Sequence, residues 1–131
     1  MTDNSTPKDA LAVVETWAHA FAASDVDTIV ATYADDALFM GTSSKSLVKD
    51  RAGIRKYFEA ALLSNRPRGA GLTDVESMAL ADGAVLVTGL DAVTGVRDGA
   101  KYTNPGRVTF VVARRGDGWK IAHFHRSAMP G

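Results

Sequence analysis

The chain has no cysteine. Disulfides, thiolate chemistry and cysteine-ligated metals are therefore excluded. It also lacks a charge excess, with 15 basic against 15 acidic residues. Phosphate backbones are held by a basic surplus or stripe, so nucleic acid is not the expected partner. The densest basic spots are only Arg66/Arg68 and Arg114/Arg115. No apolar run reaches the length of a membrane span, and Met1 to Lys8 lacks the apolar centre of a secretory signal. A soluble, cytoplasmic protein without membrane partner is the expectation. What remains is 131 residues, 46% of them hydrophobic, which suffices for one buried core.

Residues 1–7 read as a polar tail ending in Pro7, and residues 8–131 as a single domain. Leu11, Val14, Ala18, Phe21 and Ala22, with Trp17 beside them, recur at helical spacing from Lys8 to about Ala23. Asp25 is the expected N-cap of a second helix over Val26–Tyr33. A short strand over Ala37–Met40 and a third helix over Ala52–Leu63 follow. The helix carries Ile54, Tyr57, Phe58, Ala61 and Leu62 inward, and Asn65-Arg66-Pro67 stops it. Beyond Gly71 the chain reads as strands over 72–80, 84–94, 107–115 and 119–127. Asp82-Gly83, Asp98-Gly99 and Gly116-Asp117-Gly118 separate them. Helices first and an antiparallel meander last predict an α+β fold: a strongly curved, cone-shaped antiparallel sheet wrapped around three N-terminal helices. The sheet's second face, fed by Val85, Val87, Phe110 and Phe124 according to register, would expose apolar surface and pair two copies as a homodimer.

Two constellations could carry chemistry. His123 and His125 stand two apart in the last strand, and alternation sets them on one face with Trp119, Ile121 and Ser127. Paired imidazoles on a pocket wall can serve as acid and base or donate to a ligand carbonyl; the plainer reading is a hydrogen-bonded pair propping the sheet end. A metal would need more ligands than His19, on the first helix, can add, so no metal site is expected. In the second constellation, a hairpin turning near Asp98-Gly99 places Asp91 opposite Arg107, with Pro105 and Gly106 able to shift the pairing by one. Inside the fold Asp91 requires that partner or acts as a base; at the rim the two form a weak salt bridge. Trp17, Tyr33, Phe39, Met40, Tyr57 and Phe58 supply an aromatic and thioether lining, no more than half of it expected to touch a ligand. Asp35-Asp36 reads as a solvated corner, and Gly41-Thr42-Ser43-Ser44-Lys45 lacks the glycine spacing of a phosphate loop.

The element order resembles the nuclear transport factor 2-like superfamily, which includes ketosteroid isomerases and SnoaL-like polyketide cyclases. "GWKIAHFHRSAMP" at 118–130 and "IRKYFEAAL" at 54–62 are similar to the last strand and third helix of the calcium/calmodulin-dependent protein kinase II association domain. "GRVTFVVARRGDGW" at 106–119 resembles the bacterial branch that includes the SgcJ/EcaC group, found beside enediyne polyketide clusters. The kinase association domain's pocket is lined by arginines; one of those positions, on the strand 84–94, is Asp91 here. The Tyr/Asp pair of a ketosteroid isomerase is not matched. The resemblance implies a cofactor-free accessory protein that binds a small apolar or weakly acidic organic ligand and assists polyketide biosynthesis, with a polyketide synthase as a further partner. Its alternatives are a cyclase, isomerase or dehydratase using the same pocket, with Asp91 or a histidine moving the proton and Arg107 stabilising an oxyanion, and a non-catalytic oligomerisation domain.

Overall fold

The computed structural model describes residues 6–116 and 118–130. The apolar stripe of the N-terminal segment generates α1 (Thr6–Ala22), which buries Ala10, Val14, Trp17, Ala20 and Phe21 on one side. Most of the expected tail lies outside the described residues, and Thr6 and Pro7 already belong to α1. Pro7 fits there because first-turn N–H groups have no intrahelical acceptor. α2 (Val26–Ala31) is capped as predicted: the Asp25 carboxylate accepts from the Thr28 backbone N–H at 3.1 Å and the Thr28 hydroxyl at 2.7 Å. These bonds, the hydroxyl's first, hold the Asp25 carboxyl below its usual range. The helix ends before Tyr33, which instead opens β1 (Tyr33–Met40). α3 (Arg51–Leu62) starts from Asp50, whose carboxylate accepts from Gly53 N at 2.8 Å.

Four hairpin-linked strands complete the sheet: β2 (Gly69–Ala81), β3 (Ala84–Arg97), β4 (Ala100–Arg115) and β5 (Gly118–Ala128). Their order is β1-β5-β4-β3-β2, with β1 parallel to β5 and every other pair antiparallel. The fold is the expected α+β arrangement of three helices against a curved, unclosed sheet. The β3–β4 turn holds Asp98 at φ 52° and Gly99 at φ 78°, the paired positive angles that match strand twist. This two-residue loop lets β4 begin at Ala100, well before the expected Arg107; Pro105 sits within the strand, opposite Ala92.

The core lies between the helices and the inner sheet face. Val85, Val87, Phe110 and Phe124, the residues expected to feed an exposed outer face, point inward and are at most 2% exposed. Phe39 stacks on Phe124 at 5.2 Å between ring centroids, and Trp17 meets Phe110 edge-on at 5.3 Å. The outer face is built of cross-strand rows instead. One runs Leu38, His123, Val111, Leu86, Met78; the next runs Met40, His125, Thr109, Thr88, Glu76.

Candidate functional site

Inward-facing residues of β3, β4 and β5 set the floor of a cleft of about 310 Å³. Its walls come from Trp17 and Phe21 on α1 and from Tyr57 and Phe58 on α3, and its rim from Thr42, Ser43, Asn65, Arg68, Arg97 and Tyr102. Trp17 donates its indole N–H to the Tyr33 hydroxyl at 3.0 Å, which fixes the indole at the cleft wall. Tyr33 itself is fully buried, and that burial drives its phenol well above the ordinary value, so it stays protonated.

One ion pair dominates the cleft floor, and it differs from the one expected. Asp91 is 4% exposed and pairs with Arg126 rather than Arg107. Arg126 Nε donates to Asp91 Oδ1 at 3.0 Å and Oδ2 at 2.9 Å, and Nη2 donates to Oδ1 at 2.7 Å. Nη2 also donates to the Asn104 carbonyl at 2.9 Å, and Nη1 to the Thr42 hydroxyl at 2.7 Å. A guanidinium has five N–H groups, so one on Nη1 is left beside the cleft. The Asp98-Gly99 loop sets Asp91 opposite Gly106 and Leu90 opposite Arg107, which turns Arg107 to the outer face. There its Nε donates to Ser127 Oγ at 3.1 Å. Gly106 is the bed for Arg126: a Cβ at that position would stand 2.3 Å from Nη2.

The histidines also lie elsewhere than expected. β5 pairs Ile121 with Val112 but His123 with Val111, so Ala122 is an extra residue in the strand. Such a bulge reverses the alternation. Ile121, Phe124 and Arg126 point inward, while His123, His125 and Ser127 point out. Among the described residues no group of three His, Asp or Glu side chains is placed to hold a metal ion. Of the six expected lining residues, Trp17, Tyr57 and Phe58 line the cleft. Tyr33 and Phe39 are buried behind it, and Met40 stands in the outer row with His125. Sequence reasoning missed Arg126, Arg68 and Arg97. Arg68 lies 5.2 Å over the Phe21 ring and Arg97 5.0 Å over the Tyr102 ring. Gly106, a glycine within a strand opposite a buried Asp, was the signal that could have revealed Arg126.

The family model of the SnoaL-like domain matches residues 10–130. The chain belongs to that family. No curated protein matches it. Among solved structures, this SnoaL-like chain is similar to a candidate calcium/calmodulin-dependent protein kinase II association domain from Xanthomonas campestris, at 27% identity and TM-score 0.85, covering 94% of this chain and 87% of that one. A candidate dehydratase of the nuclear transport factor 2-like family from Streptomyces avermitilis shares the fold at 16% identity and TM-score 0.87, covering 98% and 100%. So does a ketosteroid isomerase-like protein from Erwinia carotovora atroseptica, at 16% identity and TM-score 0.79, covering 98% and 100%. These likenesses show that the chain has the nuclear transport factor 2-like fold. No helix among the described residues is long and apolar enough to cross a membrane.

Proposed function

We propose that the protein binds a small organic acid with an aromatic or apolar body in the Trp17–Tyr57–Arg126 cleft. The observation that carries this reading is the charge of the lining: Arg68, Arg97 and Arg126 face the cleft, and no carboxylate among the described residues lines it. Asp91 offsets Arg126 from behind, but Arg68 and Arg97 form no ion pair among the described residues. Aromatic walls take the body of such a ligand, and the cationic rim takes its acid group. A polyketide intermediate with an enolic or carboxylic end falls in this class, which is the setting the accessory role implies. The alternative is a cofactor-free cyclase, isomerase or dehydratase, in which the spare Arg126 N–H stabilises an oxyanion. It is the weaker reading because both oxygens of Asp91 are engaged by Arg126, and both histidines lie on the far side of the sheet. Calorimetry with 3-phenylpropionate and its amide tests the binding reading. The acid is expected to bind and the amide to bind weakly, with Arg97→Gln lowering the acid's affinity about tenfold and Lys8→Ala changing nothing. Equal affinity for acid and amide would remove the anion reading. No uptake of either would leave the non-catalytic assembly role as the better account.

We also propose that two copies pair through the outer sheet face. Strands ~4.8 Å apart and ~3.3 Å per residue give that face roughly 700 Å² per copy, close to the ~800 Å² per partner of a standard interface. Leu38, Met78 and Leu90 are 43%, 60% and 36% exposed on it. It also carries Arg107 and Glu76, charges of opposite sign that a two-fold axis can set against each other. Val111→Glu is expected to split the dimer, because a lone carboxylate in the middle row cannot be desolvated cheaply. Light scattering of wild type and variant reads the result; a wild-type monomer at micromolar concentration would end this proposal.

A further inference from the structure

We infer that the ligand carries an uncharged acceptor, a ketone or similar carbonyl, at the end opposite its acid group, and that Arg126 receives it. The inference deepens the binding reading above and rests on it. The two cationic ends of the cleft are not alike. Arg126 is 7% exposed, and Asp91 matches its charge through three contacts between 2.7 and 3.0 Å. The Asn104 carbonyl and the Thr42 hydroxyl take two further N–H groups. The floor therefore presents a neutral ion pair with a single N–H to spare. At the rim, Arg68 and Arg97 form no ion pair among the described residues. The Thr94 and Ala61 carbonyls hold Arg68 over the Phe21 ring, and Arg97 is exposed over Tyr102.

That difference decides which end takes which group. A carboxylate brought to Arg126 gives up its water for one N–H and stands in the field of Asp91, so its lost hydration is not replaced. A ketone asks for one donor and brings no charge, and it satisfies the remaining N–H of a buried guanidinium. The rim is the reverse: two guanidinium heads without a carboxylate partner suit an anion. Alternation puts Asp91, Val93, Gly95 and Arg97 on one face of β3. A Cβ on Gly95 would stand 3.0 Å from Arg68 Nε, and that Nε donates to the Thr94 carbonyl, so the Arg68 head is level with Thr94 and Gly95. Arg126 starts level with Asp91 and reaches the carbonyl of Asn104, the residue opposite Val93. At ~3.3 Å per residue the two heads are roughly 7–13 Å apart along the strand. One aromatic ring with a short arm at each end spans that gap, and Trp17, Phe58 and Phe124 supply its walls.

Calorimetry with the whole chain and three 3-phenylpropionates tests this, the para substituent being acetyl, isopropyl or carboxylate. Isopropyl has the shape of acetyl without the oxygen. The acetyl compound is expected to bind about tenfold more tightly than either of the others. Asp91→Leu/Arg126→Met removes the donor together with its counter-charge, and should bring the acetyl and isopropyl compounds to equal affinity. Circular dichroism establishes that this variant is folded, and the wild-type series decides by itself if it is not. Equal affinity of the acetyl and isopropyl compounds for the wild type, with acid still preferred to amide, overturns the inference and leaves the binding proposal standing. A dicarboxylate that binds more tightly than the ketone also overturns it, because the floor is then a second anion site. So does a folded double variant that keeps the ketone preference. A wild type that takes up none of the acids removes the binding proposal and this inference together.

Discussion

Arg126→Ala is expected to lower the stability of the fold by several kcal/mol, on the order of 3–5, in chemical denaturation. The substitution strands Asp91, whose side chain is 2% exposed, in an interior where no other cation among the described residues pairs with it. It also frees the Asn104 carbonyl and the Thr42 hydroxyl, which ties the loop after β1 to the cleft floor. Within one copy Arg107→Ala should cost under about 0.5 kcal/mol, since Arg107 is exposed and the side-chain hydrogen bond it makes there goes to Ser127. The two arginines thus separate the observed pairing from the one expected from sequence. A further variant, Asp91→Leu with Arg126→Met, removes both charges at once and should recover most of the lost stability. An Arg126→Ala loss no larger than that of Arg107→Ala would mean that the Asp91 site is open to water.

Trp17→Ala carries the second large effect, roughly 3–5 kcal/mol, the usual range for emptying a buried aromatic site. Trp17 is 2% exposed and touches the rings of Phe21, Phe58, Phe110 and Phe124, so its removal opens both the core and the cleft wall. Trp17→Phe isolates a smaller part. It keeps a ring but leaves the buried Tyr33 hydroxyl without its donor, at a cost of about 1–3 kcal/mol. Thermal denaturation of the two variants side by side measures the packing and hydrogen-bond contributions. Equal losses would show that the indole nitrogen, and not the ring volume, anchors α1.

The fold was legible because its signals are local. Helical spacing in α1, the Asp25 cap and the Asp-Gly turns each act over a few residues, and all agree with the order of elements found. The site was less legible because it depends on parity, which one residue can reverse. Alternation along Trp119, Ile121, His123, His125 holds only if every residue of β5 pairs, and Ala122 does not. Nothing in an alanine announces a bulge. The same slip hid Arg126, which a continuous alternation turns outward. In the β3–β4 hairpin, taking the turn one residue off exchanged Arg107 for Gly106 as the residue facing Asp91. The positions of Trp17, Tyr57 and Phe58 on the cleft wall follow more directly, because these residues sit on helices whose faces are set by several residues together.

The parallel seam between β1 and β5 governs the order in which the molecule can be completed. Phe39 and Tyr33 leave the ribosome long before Phe124 and Ile121, the residues beside which they must lie. Until the final strand emerges, the nascent helices have only each other and an unfinished hairpin meander to cover their apolar sides. Such non-local closure slows folding and leaves hydrophobic surface open to other chains. A product cut short before residue 118 retains the residues of every helix and of four strands, yet lacks the strand that joins β1 to β4. Such a product is expected to present apolar surface to chaperones and proteases, and residues 118–128 act as the clasp that closes the sheet.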